Sequence, residues 1–169
     1  MASSVRLIGF GAGVAMLMTT AAAHAATQKS VVPPGAVPVP PRELKQIYDN
    51  KTWQWQVGGG RFSEANRSFV AWSSTDGVDT YGTGHWELTN SGKLCMVATW
   101  KTKETSGKNR TCFRHLKVGD TIYQKREPKG KWYVFKSGNP WSKDEYSKLI
   151  DEDTVSVQAL RIQTRIAAK

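Results

Sequence analysis

Between Thr52 and Lys136 the chain is broken at short, regular intervals by turn-forming residues, and the runs between the breaks alternate apolar with polar side chains. Ser74-Thr75-Asp76-Gly77, Asn90-Ser91-Gly92, Gly119-Asp120 and Pro128-Lys129-Gly130 are the clearest breaks. Leu94, Met96, Ala98 and Trp100 alternate strictly, as half-buried strand residues do. About seven short strands at roughly ten-residue spacing predict a mainly β fold, an antiparallel meander closing as a small barrel or sandwich. No long helical pattern is available for parallel crossovers, which argues against an α/β fold.

Two short helices frame this meander. Pro41 to Asn50 begins with a proline suited to a first helical turn, and Leu44, Ile47 and Tyr48 form one apolar stripe. Ser142 to Ile150 has Ser142 as a cap and Glu145 three residues on, the pattern of a capping box, with Tyr146, Leu149 and Ile150 as its apolar contacts. The tail from Asp151 fits either a strand, through Val155 and Val157, or a helix, through Val155, Ala159, Ile162 and Ile166. Gly58-Gly59-Gly60 is expected as a turn between strands, and it lacks the Gly-Lys-Ser/Thr ending of a phosphate loop.

The first residues set the expected compartment. Arg6 is followed by an uncharged apolar run from Leu7 to Thr20 and by Ala23-His24-Ala25, a small-x-small tripeptide. This is the layout of a cleavable signal peptide over residues 1–25, too short in its apolar part for a comfortable membrane span. Residues 26–41 are rich in proline and read as an extended linker, residues 42–150 as one β-rich domain, and residues 151–169 as a C-terminal tail. The expected location is the periplasm or the medium, with no membrane-spanning segment after cleavage.

Cys95 and Cys112 are the only cysteines, and in an exported chain an even, minimal count reads as one disulfide. A hairpin centred between Lys103 and Glu104 sets the two opposite each other. Leu94, Met96, Ala98, Trp100 and Phe113 then point to the core, while Cys95, Val97, Thr99, Lys101, Arg110 and Arg114 point away. The formal net charge is +10, and the stretch from Lys101 to Lys136 holds eleven basic against three acidic residues, a net +8. Such asymmetry fits an anionic partner, and equally a solvated surface that aids solubility. The candidate surface comprises Lys101, Arg110, Arg114, Lys125, Arg126, Lys131 and Trp132. Of the seven tryptophans, Trp53, Trp86 and Trp100 are expected in the core, with Trp132 and Trp141 better placed for exposure.

Several segments in order, Leu44-x-x-Ile47-Tyr48-x-x-Lys51-Thr52-Trp53, Tyr81-Gly82-x-Gly84-x-Trp86, Leu94-Cys95 with Trp100, Cys112-Phe113-Arg114-His115, Thr121 to Arg126 and Trp132 to Lys136, carry a resemblance. The chain resembles the small exported alphaproteobacterial proteins of domain of unknown function 995, from about Arg42 to Ile150. The resemblance implies a bacterial source and an exported β-rich domain, and it brings no catalytic residues with it.

No motif for catalysis stands out. His85 and His115 lack metal-ligand spacing and are expected as surface or half-buried strand residues, so neither a metal nor a cofactor is expected. There is no GxSxG elbow, and the acidic residues near the second helix suit a solvated helix end. The expectation is a non-catalytic binding or accessory module for an anionic envelope component, such as an acidic polysaccharide, a phospholipid surface or an acidic protein, rather than intracellular nucleic acid. The alternative is a lipocalin-like carrier of a small molecule, which requires a cavity that small barrels often fill with side chains. An enzyme ranks third.

Overall fold

The computed structural model describes residues 32–139 and 143–168. Its strands are β1 (Val37–Pro38), β2 (Lys51–Trp55), β3 (Gly58–Phe62), β4 (Ser68–Thr75), β5 (Val78–Leu88), β6 (Lys93–Lys101), β7 (Ser106–Val118), β8 (Thr121–Arg126), β9 (Tyr133–Lys136) and β10 (Leu149–Ile150). They form a single antiparallel sheet in the order β10-β2-β3-β4-β5-β6-β7-β8-β9, with β1 added to β7. The sheet curls into a half-barrel, as the alternating pattern predicts.

The hairpins follow from local chemistry. Asp76 and Gly77 both adopt positive φ, 51° and 77°, which the tight turn between β4 and β5 requires. The β6–β7 hairpin pairs Cys95 with Cys112 and Lys101 with Ser106, so it is centred where the sequence places it. The two cysteines are bonded across the strands, with Cα atoms 4.0 Å apart. A closed loop of this length contributes about 3 kcal/mol in the chain-entropy model.

Side chains on the inner face form the main core. Helix α1 (Pro41–Tyr48) lies in one end of the half-barrel and buries Leu44, Ile47 and Tyr48. Tyr48 packs on Phe62 and Phe135 at centroid distances of 5.3 and 5.9 Å. A second, smaller apolar contact lies outside the sheet. There helix α2 (Ser156–Ala167) rests on β4 and β5, burying Ala159 and Ile162 together with the preceding Val155.

Three expectations are corrected. The proline-rich leader does not stay apart from the domain: Val37 and Pro38 pair with β7, and Val39 is fully buried. An extended run suits an added strand, and proline is tolerated there because the pairing is short. The Gly58-Gly59-Gly60 run is a strand, not a turn. Both its faces are crowded: a Cβ on Gly60 would lie 2.7 Å from the Phe69 ring, and one on Gly59 would lie 2.9 Å from Val155. Residues 143–150 form a single 3-10 turn, Glu145–Lys148, followed by β10, rather than a helix; the expected Ser142 cap lies outside the described residues. The Asp144 carboxylate is engaged by the Ser137 backbone N–H and hydroxyl, and Leu149 and Ile150 are drawn into pairing with Trp53 and Thr52. The tail then resolves to a helix, whose approach is fixed by backbone N–H groups of Val155 and Ser156 donating to the Asp153 carboxylate. The signal-peptide segment 1–25 lies outside the described residues.

Candidate ligand-binding cavity

Period-two alternation projects one set of side chains from each strand onto the concave face. From β2 these are Trp53 and Trp55; from β3, Gly58 and Gly60, which leave room for the aromatic rings beside them. Phe69 and Ser73 on β4, Thr80 on β5, Met96 and Trp100 on β6, and Thr111 and Phe113 on β7 continue the surface. Arg126 on β8, Tyr133 on β9 and Glu145 from the 3-10 turn close it. Together they enclose an open cavity of about 540 Å³. That size falls within the range of small-molecule sites, which are mostly apolar with a few placed polar groups.

The cavity exists because α1 covers only one end of the half-barrel. Eight residues of helix span about 12 Å, whereas the thirteen residues of β7 reach about 43 Å. At the covered end, β7 and β8 place His115 and Gln124 opposite each other on the inner face, both fully buried. His115 Nδ1 donates to the Gly92 carbonyl at 3.3 Å, which leaves Nε2 to accept from the Tyr48 hydroxyl at 2.8 Å. Gln124 Nε2 donates to the Tyr48 oxygen at 2.8 Å, and the Tyr133 hydroxyl donates to Gln124 Oε1. Burial lowers the His115 pKa to about 4, so the imidazole is neutral at pH 7. Burial also raises the Tyr48 and Tyr133 hydroxyls, Tyr133 further because of nearby Glu145. All four groups are therefore uncharged, as the three buried ones, Tyr48, His115 and Gln124, need to be; Tyr133 stands at the exposed edge of the cluster and also lines the cavity. The expectation that His115 is at most half-buried is overturned; His85 does lie at the surface, 3.0 Å from Glu87.

At the open end the polar groups differ. Glu145 accepts from Trp53 Nε1 at 2.9 Å through one oxygen and pairs with Lys148 at 2.7 Å through the other. This fixes the indole edge and offsets the carboxylate charge. Trp53 and Phe113 meet edge to face, with centroids 5.0 Å apart, and form the boundary between the two ends.

This chain belongs to the DUF995 family. The family, described as protein of unknown function (DUF995), matches residues 14–155, most of the chain. No curated protein and no solved structure matches the chain. The family assignment extends further toward both ends than the segment carrying the sequence resemblance, and it takes in Val155, which packs against β3.

In this DUF995 protein the seven residues of the predicted basic surface do not share one face. Arg110 pairs with Glu87 at 2.8 Å on the convex side. Arg114 and Lys125 converge on Glu127 at 3.1 and 3.4 Å, joined by Lys93 at 3.9 Å. Lys125 also lies over the half-buried Trp132, 5.2 Å from the ring centroid. Lys101 ends β6 and Lys131 follows β8, both exposed, while Arg126 points to the concave side. Trp53 and Trp86 are buried and Trp100 packs against the core from the cavity wall; Trp141 lies outside the described residues. From sequence a cavity was expected only under the lipocalin-like alternative, and its lining residues were not named. The signal that could have found it is the mismatch between the eight-residue α1 and the thirteen-residue β7, which is more than three times as long. Among the described residues no group of three or more His, Cys, Asp or Glu is placed to hold a metal ion.

Proposed function

We propose that this DUF995 protein is a non-catalytic binding protein that holds a small, largely apolar ligand in the concave face of its half-barrel. The observation that carries this reading is the 540 Å³ cavity walled by Trp53, Trp55, Trp100, Phe69 and Phe113. Side chains from neighbouring strands converge on it, while the part of the same face under α1 is filled. Flat rings offer large apolar contact at low entropy cost, which suits recognition of a planar or acyl body. The role of an outward basic surface has less support, because Glu87 and Glu127 already neutralise part of the charge there.

The test uses N-phenyl-1-naphthylamine, a neutral probe whose fluorescence rises in apolar sites. The expected result is saturable 1:1 binding that is lost when the cavity is filled by Ser73→Phe at unchanged melting temperature. Absence of saturable binding, or binding indifferent to that substitution, overturns the reading.

We also infer that the protein works in an oxidising compartment, as an exported protein does. The Cys95–Cys112 bond supports this, since such bonds are rare where thiols are kept reduced. Among the described residues no helix is long and apolar enough to cross a membrane. The intact mass of protein from native cells, before and after reduction, is expected to report both cleavage near Ala25 and one disulfide. A full-length, reduced chain would refute the inference.

A further inference from the structure

The aromatic cavity does not end at its own rim. It runs into a second, polar cleft of about 440 Å³ between the ends of β5, β6 and β7, and the two share Thr80, Trp100, Thr111 and Arg126. Arg126 therefore stands where an apolar floor meets a polar shelf. Its side chain has no carboxylate within ion-pair distance among the described residues. This is in contrast to its neighbours Arg114 and Lys125, which share Glu127 on the other face. The side chains of Thr80, Asn109 and Thr111, which line the same cleft, make no hydrogen bond with another described residue. The acid at the cavity, Glu145, has both oxygens engaged by Trp53 and Lys148, and the Lys148 ammonium offsets part of its charge.

Resting on the cavity reading above, we propose that the ligand is an amphipathic monoanion. Its apolar body lies over Trp53, Trp55 and Trp100, and its carboxylate or similar oxyanion is held by the Arg126 guanidinium. Thr111 and Asn109 supply further hydrogen-bond donors to the same head. A guanidinium presents a fork that matches two oxyanion oxygens, which makes it more selective for such a head than a diffuse positive field. Arg126 is exposed to water at the mouth, so the contact weakens as salt is added.

A matched pair of probes, 2-naphthoate and 2-naphthamide, tests this by displacement of N-phenyl-1-naphthylamine at low ionic strength. The two have the same body and differ in charge. The expected result is about tenfold tighter binding of the naphthoate, the size of effect for a hydrogen bond to a charged group. Arg126→Gln is expected to remove that preference, read as the ratio of naphthoate to naphthamide affinity within the same variant; Arg126→Lys keeps part of it. Equal affinity for the two naphthalenes with the probe still bound overturns the assignment of an anion and leaves the cavity standing. A preference that survives Arg126→Gln overturns the role given to Arg126. Failure of the neutral probe itself overturns the cavity and this inference together.

Discussion

The two ends of the concave face are built from the same strands and obey the same alternation, yet one is sealed and the other open. Along β7, His115 faces α1 and is fully buried, whereas Thr111 and Phe113 face the cavity. At the sealed end the Tyr48 ring packs on both Phe62 and Phe135, and each polar atom of the buried cluster has a protein partner. At the open end tryptophans of similar size stand around space. The difference is a single element, the eight-residue α1. Packing is thereby concentrated at one end of a continuous sheet, and the other end is left open.

The comparison predicts unequal costs. Phe135→Ala, at the sealed end, is expected to lose about 4 kcal/mol of stability, because it leaves a cavity among rings that cannot collapse. Urea unfolding measures this, and a loss below that of the equivalent change at the open end would break the division. Next comes pH. His115 has a folded pKa near 4 against an ordinary value near 6.5, so the unfolded chain takes up its proton first as pH falls. The contribution is intact above about pH 6.5 and is lost progressively toward pH 4, on the order of 3 kcal/mol in all. Unfolding midpoints of the natural protein are expected to fall more steeply across that window than those of His115→Gln, and parallel curves would show that the cluster is not sealed.

Smaller effects belong to the open end. Trp100→Ala, on the cavity wall, is expected to cost about 1–2 kcal/mol of stability, since the ring is only partly buried, and about tenfold in affinity for the neutral probe. A large stability loss with unchanged probe affinity would mean that the wall is core. Smallest is Gly82→Ala. A Cβ there lies 2.9 Å from the Trp100 ring, so the indole must shift outward. Stability is expected to change by less than about 1 kcal/mol while probe affinity changes severalfold. Fluorescence titration and thermal melting separate the two.

The alternation of Leu94, Met96, Ala98 and Trp100 was enough to assign their face, and the spacing of Cys95 and Cys112 was enough to locate their hairpin. These are local signals, with period two and a fixed turn. The Gly58–Gly60 run misled because glycine is read as a breaker; here it is demanded by rings and Val155 arriving from distant parts of the chain. Glu145 and Tyr146 looked helical because a capping pattern is a local preference, and pairing with the β2 edge outweighed it. His115 carried no sequence mark of burial, since its partners Tyr48, Gln124 and Gly92 come from separate elements. Of the candidate basic surface, only the parity of Arg126 against Phe113 distinguished it from its neighbours. The inward tryptophans were legible as a set, but whether they would be covered depended on how far one short helix reaches.

The leader enters the domain at β1, where Val39 donates its backbone N–H to the His115 carbonyl, at the end of β7 remote from Thr111. An attachment made upstream of Val37, whether a capture tag or a chemical link to a sensor chip, would therefore grip the molecule by its closed pole. The mouth around Arg126 would stay turned to the solution, so affinities measured on a surface should agree with those measured free.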